Sequence, residues 1–500
     1  MNFYEKISKL KGVDRLKYLF KDTVIYGLSG ALNKFLSLIS VPLLTFYFNP
    51  HEYGIIDYFN FLLLFFSILF IFGQDSAVAR YFFEYDDVLS KKKLISQSLI
   101  FQVILLVLFL PIFWIFADKT IGYQSDNDLI AKIIILQTPC LLLINFGQNI
   151  LRWTFDKYRF LFLSVGSNLF TFFTIFISLK FFKVELIELF YAYLFSRVIF
   201  SLISIFLVKK WLIIPSNFKY LFEMMPFAIP FGIVCTISAL VPTIERTYIL
   251  QYLSDLELGI YALAYRIALF IALPIEAFQI AWGPFAISLY KIKDSITTYN
   301  WILKIFSLTI FSSVLLITFF SGHLVKLLII SNPNSTYSDY YNASLLVFAL
   351  SMGIAIDGIL TILDVGVLFS KKSYIKLYSY FIFLFSALIF IYFFINVFGV
   401  LGVAWGSLIA YIIKIFVTFW FSQKVYPLEW EFKKIITIGI FTLIVGIISQ
   451  FISIYININY GLYFCGLGII FLILFSWFFI FSLDEKNKII NYLIKIKKNL

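Results

Sequence analysis

The chain has 500 residues, 61% of them hydrophobic and only 14% charged, with a mean hydropathy of +0.94 and a formal net charge of +12. Too little polar surface remains to cover a soluble body of this size, so the class that fits is an all-α integral membrane protein crossing the bilayer many times. Cys140, Cys235 and Cys465 all lie inside apolar runs, and His51 and His323 fall in separate predicted loops, which excludes a disulfide framework and a Cys- or His-ligated metal site.

In chain order, residues 1–22 come first, with six Lys/Arg among Phe3, Ile7, Leu10 and Leu16. This pattern predicts a short amphipathic helix lying on an anionic inner leaflet, not a cleavable leader. Apolar runs of about 20 residues, each enough to cross about 30 Å of hydrocarbon, then follow one another. They lie near 23–48, 54–80, 94–117, 129–150, 160–180, 186–208, 226–250 and 258–284. Six more lie near 298–320, 341–369, 377–395, 401–421, 435–454 and 461–482, giving about fourteen helices.

The connectors set the expected orientation. With both termini and every second loop on the cytoplasmic side, that side collects 28 Lys/Arg, and the opposite loops hold only Lys119, Lys183 and Lys326. By the positive-inside rule both termini are expected in the cytoplasm, and the net positive charge belongs to loops, with no nucleic-acid partner. No connector exceeds roughly 20 residues, and none carries the G-x-x-x-x-G-K-[ST] loop of a nucleotide-binding module. A large external catalytic domain is absent as well.

An offset of 205 residues aligns Glu52-Tyr53-Gly54-Ile55 with Glu257-Leu258-Gly259-Ile260, Leu64-Phe65 with Leu269-Phe270, Gln74 with Gln279 and Tyr85 with Tyr290. Turn, helix and following basic loop coincide in register, as expected of an internal repeat of a transporter fold.

Charges on apolar helices are costly, about 2.5–3.5 kcal/mol each near the bilayer centre on insertion scales, so they need polar company. The first helix has Ser29, Asn33, Ser37 and Ser40 on one stripe, with Lys34 beside it. The second carries Asp57 near one end, expected in the outer interface, and Asp75 and Arg80 towards the other. On the seventh, Glu245 and Arg246 are adjacent, point about 100° apart and are expected to seek separate partners near the outer rim. The eighth carries Arg266 and Glu276, flanked on both sides by apolar residues, and the tenth carries Asp357, Thr361 and Asp364 on one face. Lys304 and Lys414 are candidate partners for the two aspartates. Lys34, Arg80, Arg246 and Arg266 would give a cavity positive potential suited to an anion such as a phosphate. Asp75, Glu245, Glu276, Asp357 and Asp364 are the carboxylates that could line it or exchange a coupling ion, H⁺ or Na⁺. No other cofactor is expected.

The stretch "ALNKFLSLISVPLLTFYFNPHEYGIIDYFNF", followed by "GQDSAVARYFFEYDD" and a lysine cluster, resembles the polysaccharide transporter or O-antigen flippase family of the multidrug/oligosaccharidyl-lipid/polysaccharide exporter superfamily. "ERTYILQYLSDLELGIYALAYRIALFIALPIEAFQIAWGPF" and "GVLGVAWGSLIAYIIKIF" resemble it too, in order and spacing along most of the chain. The resemblance implies two six-helix lobes around a central cavity, 23–208 and 226–421, joined by a linker at 209–225. It adds two C-terminal helices within 435–482 and leaves 483–500 as a basic cytoplasmic tail. The cavity would be lined by the first, second, seventh and eighth helices. The implied substrate is an undecaprenyl-pyrophosphate-linked oligosaccharide, flipped in the bacterial cytoplasmic membrane for O-antigen or capsule assembly by rocking of the lobes. Implied partners are membrane lipids, a polysaccharide polymerase and its chain-length machinery. A drug exporter of the same superfamily is the alternative, which a cavity dominated by carboxylates would favour. A membrane polysaccharide polymerase would need a large external loop or a catalytic His, and the sequence offers neither.

Overall fold

The computed structural model describes residues 13–120, 125–182, 185–289, 295–329, 340–370, 374–483 and 485–486. The expected amphipathic stretch before residue 13 and nearly all of the basic tail lie outside the described residues. Seventeen α-helices account for almost everything described. They are α1 (Val13–Tyr47), α2 (Pro50–Ile71), α3 (Gln74–Tyr81), α4 (Val88–Thr120), α5 (Ser125–Trp153), α6 (Lys157–Ile177), α7 (Leu186–Val208) and α8 (Lys219–Tyr252). There follow α9 (Asp255–Ala268), α10 (Ala272–Leu289), α11 (Ser295–Leu328), α12 (Ala343–Leu363) and α13 (Val365–Ser370). The last are α14 (Tyr374–Phe398), α15 (Val400–Val425), α16 (Phe432–Tyr455) and α17 (Ile458–Phe475). Fourteen segments among the described residues are long and apolar enough to cross a membrane, and they fall where hydropathy places them.

Local chemistry fixes the starts. At α2, Asn49 Oδ1 accepts from the Glu52 amide at 2.9 Å while the Glu52 carboxylate accepts from the Asn49 amide at 3.0 Å, and Pro50 occupies the first helical position. At α9, Ser254 Oγ accepts from the Glu257 amide at 3.3 Å. Asn49 and Ser254 are related by the same offset of 205 residues as the sequence repeat, so the two halves begin this helix with the same cap.

One expected helix is broken. The run read as 54–80 stops at Ile71, because Phe72 (φ 45°) and Gly73 (φ 72°) are left-handed, and α3 restarts at Gln74. Gly73 permits both the dihedral and a backbone crossing: a Cβ there would stand 2.5 Å from the Ala228 carbonyl oxygen and 2.6 Å from the Gly232 amide of α8.

The chain forms two compact units, residues 1–247 and 248–500. The expected linker was 209–225; by packing, the first unit runs on through most of α8. In that unit α1 lies on α6, α2 on α5, and α7 against α5 and α6. A core at one end joins α3, α4, α5 and the start of α8 through Val78, Phe82, Leu94, Ile150, Leu221 and Met224. Polar ties reinforce it: Gln97 Oε1 accepts from the Leu221 amide at 2.8 Å, and Ser90 and Tyr220 hydroxyls meet at 2.7 Å.

In the second unit α12 is the central, most buried helix, packed by α9, α10, α11 and α15. α14 and α15 pair backbone to backbone, since a Cβ on Gly402 or Gly406 would collide with the main chain of Phe394 or Ile391. Small residues four apart allow such close helix contact in a bilayer, where apolar side chains gain nothing by leaving lipid. The C-terminal pair α16 and α17 packs on α11.

The crossing at Gly73 yields a stability test. Replacing Gly232, whose added Cβ would stand 2.7 Å from the Phe72 carbonyl, by Val should cost about 1–3 kcal/mol by overpacking. Gly30→Ala, with nothing within 4 Å of the new methyl, should leave the thermal unfolding midpoint of the purified protein unchanged.

Candidate functional site

Arg246 is the most buried cation of the first unit. Its side chain is 0% exposed, and its Nε donates to Asp57 Oδ2 at 2.7 Å, with Asp57 2% exposed. Nη1 donates to the Pro242 carbonyl at 2.9 Å and lies 3.9 Å from Glu245 Oε2, while the guanidinium sits 3.4 Å from the centre of the Phe61 ring. Pro242 lies one turn before Arg246 on the same helix, so α8 supplies one of the acceptors for its own arginine. Asp57, expected in the outer interface, is thus an interior residue, and the Glu245 carboxylate approaches the same arginine. Asp57 and Arg246 stand 189 positions apart, and a single sequence carries no signal for such a pair.

The other named residues of this unit are more accessible. Arg80 is half exposed on α3, with Glu84 at 4.0 Å and the Phe227 ring centre 4.8 Å from its guanidinium carbon. Lys34 is half-buried on α1. Its neighbour Asn33 donates to Ser164 Oγ at 2.9 Å, so the serine-asparagine stripe of α1 faces α6 at that point. Asp75 is half-buried at the start of α3, its Oδ1 accepting from the Ser76 amide at 2.7 Å, and it lines a small, mostly apolar cavity with Ser98 and Gln102 of α4 and Phe146, Asn149 and Trp153 of α5. Tyr85, just beyond α3, donates its hydroxyl to Glu223 at 2.5 Å, and burial together with that carboxylate pushes its phenol upward.

In the second unit Arg266 is half-buried on α9 among the fully buried Leu263, Ala264, Ile267 and Ala268. Glu276 and Gln279 are exposed on α10. Gln279 Nε2 donates to Thr361 Oγ1 at 2.9 Å, and Trp282 Nε1 to the Thr361 carbonyl at 3.2 Å, which joins α10 to α12. Along the second half of α12 and its cap, the residues that escape full burial are Ile354, Asp357, Thr361 and Asp364. Their spacing of three, four and three places them on one face. The open stripe of the most buried helix is therefore largely polar.

Both aspartates of that stripe have lysine partners. Lys414 Nζ, on a side chain 3% exposed, is 2.6 Å from Asp357 Oδ1, and Lys376 Nζ is 2.5 Å from Asp364 Oδ2. Lys414 is thus one of the two partners expected from sequence. Lys304, the other, instead meets Glu431 Oε2 at 3.1 Å and also the Glu485 carboxylate, with Lys434 2.6 Å from Glu431. Burial alone would raise Glu431, but hydrogen bonds and charge from Lys434 and Lys304 more than offset it and hold the carboxyl below its usual range. Glu485 is likewise lowered against burial, by Lys304 and by the Ser482 amide and hydroxyl. Among the described residues no group of three His, Cys, Asp or Glu could hold a metal ion.

Two measurements follow. Asp57→Leu or Arg246→Met alone leaves a charge of the cluster without its main partner and should cost about 3–5 kcal/mol; the double variant should recover most of the loss, read by thermal unfolding. The lowered carboxyls of Glu431 and Glu485 give stability that is complete above the unfolded value of about 4.3 and disappears as pH falls through the lower folded values. The stability gap between wild type and Lys304→Met should therefore be open at neutral pH and close on acidification below that point.

The comparisons with known proteins agree with this architecture. Residues 19–285 match the model of a family described as polysaccharide biosynthesis protein. Lsg locus protein 1 of Haemophilus influenzae is 24% identical over 298 residues, covering 58% of this chain and 72% of that protein. Among solved structures, the lipid II flippase MurJ in an inward closed conformation superposes with a TM-score of 0.65 at 17% identity, over 91% of this chain and 98% of that one. An inward-facing multidrug resistance MATE family transporter of the MOP superfamily gives 0.63 at 15% identity, over 78% and 94%. Such identities show a shared fold, that of MurJ and MATE. On its family match the chain belongs to the polysaccharide biosynthesis protein family, and it is a multi-pass membrane protein with fourteen candidate spans among the described residues and the fold seen in MurJ and MATE.

Proposed function

We propose that the protein is a flippase that carries undecaprenyl-pyrophosphate-linked oligosaccharide repeat units across the bacterial cytoplasmic membrane by alternating access, for assembly of a surface polysaccharide such as O-antigen or capsule. Family membership supports the biosynthetic setting. The likeness to a lipid II flippase supports a lipid-linked substrate. The observation that carries the reading is the open polar stripe of α12, continued on α10 by Glu276 and Gln279. Asp357 keeps 42% of its side chain exposed although it pairs with a buried lysine. Charged and amide groups are costly against hydrocarbon, so this face of the second unit is built to meet water or a polar substrate.

In this reading Arg266 is a ligand of the pyrophosphate, because a guanidinium fork matches phosphate oxygens, and Lys34 and Arg80 are the cationic candidates on the first unit. Glu276 and the α12 carboxylates face the sugars, whose hydroxyls they can accept from. Arg246 contributes through the shape of the first unit, since its Nε and Nη1 are taken by Asp57 and the Pro242 carbonyl. Both termini face the cytoplasm, as the 28-to-3 distribution of Lys/Arg requires. The same alternating loops place Asp75, Arg80 and the Lys304 cluster at the cytoplasmic ends of their helices.

The reading is tested in the native host. Deleting the gene should abolish surface glycan and accumulate lipid-linked repeat units on the cytoplasmic face; normal surface glycan with no accumulation would refute it. Arg266→Ala should lower export about tenfold or more, and Arg266→Lys much less, because the charge survives. Equal wild-type export by both variants would remove Arg266 from the substrate site.

A further inference from the structure

The connector between α7 and α8 has no part in the transport reading, yet it is held by specific contacts. After one 3-10 turn, Lys209–Trp211, the chain leaves helix at Leu212 and re-enters it at Lys219. Its main chain is tied to the start of α4. The Ile213 amide donates to Ser96 Oγ at 2.8 Å, and Gln97 Nε2 donates to the Asn217 carbonyl at 2.6 Å. Gln97 Oε1 accepts from the Leu221 amide at 2.8 Å, and both Ser96 and Gln97 are buried. These ties set the depth of the connector. The apolar run of α4 starts at Leu94, directly after Lys91–Lys93, so Ser96 and Gln97 lie in its first turn, at the edge of the hydrocarbon layer. At that depth Ile214 is 97% exposed, Phe222 72% and Phe218 41%, and Lys209, Lys210 and Lys219 are exposed too. Lys219 meets Glu223 at 3.8 Å, a carboxylate that also accepts from the Tyr85 hydroxyl. Lys209 lies over the Phe206 ring at 4.3 Å, and among the described residues neither it nor Lys210 forms an ion pair. Glu84, Asp86 and Asp87 precede α4 and so stand about two turns further from the hydrocarbon edge than Ser96.

We propose that this connector is a docking site for an anionic phospholipid, whose phosphate meets Lys209 and Lys210 while its acyl chains cover Ile214 and Phe218. Charge complementarity selects the occupant. A zwitterionic lipid carries its own cation, whereas a lipid of net negative charge is drawn to lysines that have no carboxylate of their own. An isoleucine that is almost wholly exposed is unfavourable in water and favourable among acyl chains, as in other segments that lie in the interface plane. Basic residues of other connectors are committed elsewhere. Arg159 pairs with Asp156 at 3.3 Å, Lys376 with Asp364 at 2.5 Å and Lys434 with Glu431 at 2.6 Å. Positive charge near a membrane end is general, but unpaired charge next to an exposed apolar tip, on a main chain fixed to its neighbour, belongs to this connector. In the orientation proposed above the lipid is one of the cytoplasmic leaflet. Because the same segment is tied to α4 and leads into α8, a lipid held there would brace the start of both helices.

The experiment uses the purified full-length protein in mixed micelles without any lipid-linked glycan, so its outcome is independent of whether the substrate assignment holds. Phosphatidylglycerol is titrated against phosphatidylcholine, with lipid binding read by native mass spectrometry and stability by the unfolding midpoint. Wild type should bind phosphatidylglycerol saturably and gain stability from it, and should respond much less to phosphatidylcholine. Lys209→Gln combined with Lys210→Gln should weaken the apparent affinity about tenfold. Lys157→Gln combined with Arg159→Gln, an equal change of charge on another connector, should leave it unchanged. The emission added by Ile214→Trp should be quenched by lipids with brominated acyl chains. Equal responses to the two lipids would overturn the proposal, as would an equal loss of affinity in both double variants. A stabilisation reproduced by inorganic phosphate without lipid, or an unquenched emission with Ile214→Trp, would overturn it as well.

Discussion

The contact between Arg246 and Asp57 sets the terms for the first unit. An arginine wholly removed from water in an apolar helix needs a compensating charge, and here a carboxylate from α2 takes Nε, a carbonyl from α8 itself takes Nη1, and a second carboxylate lies 3.9 Å away. The pair fixes α8 to α2 at one end. The Gly73–Gly232 crossing fixes it near the middle of its length, and Tyr85–Glu223 and Ser90–Tyr220 fix its beginning. Three attachments of different chemistry along one helix explain why the first unit runs to Thr247 and does not stop at the preceding connector.

Charge in the second unit is managed another way. Lys414, Lys376 and Lys304 each meet a carboxylate, but those carboxylates are more accessible than the lysines of Lys414–Asp357 and Lys304–Glu431. A lysine stem can lie along apolar surface while its ammonium reaches a partner at the edge of the core. On α12 the outcome is Asp357 displayed on the accessible stripe and held in place from behind by Lys414, whereas in the Lys376–Asp364 pair the lysine is the more exposed member.

Much of this was legible in the sequence. Fourteen spans follow from hydrophobic length, and the repeat offset that aligned Gly54 with Gly259 also relates the caps Asn49 and Ser254. The face shared by Asp357, Thr361 and Asp364 followed from helical spacing, and Lys414 was already a candidate partner. What the sequence hid depends on contacts distant along the chain. Asp57 looked interfacial because it follows a turn closely, and only folding shows that α8 covers it. Hydropathy ran straight through Phe72–Gly73, since both residues suit a membrane helix; the break is imposed by the backbone of α8. The Asp75 cavity was equally invisible, because Ser98, Gln102 and Asn149 are unremarkable polar residues until three helices bring them together.

The intramembrane charges thus divide by commitment. Arg246, Asp57 and Glu245 are spent inside the first unit, and any motion that separated them would expose buried charge, so they move together as part of a rigid body. Arg80, Glu276 and Asp357 keep substantial access. Arg246 is the less suitable phosphate ligand for this reason, although its charge and helix matched the expectation as well as those of Arg266. Releasing it towards a substrate would strand Asp57 in the core.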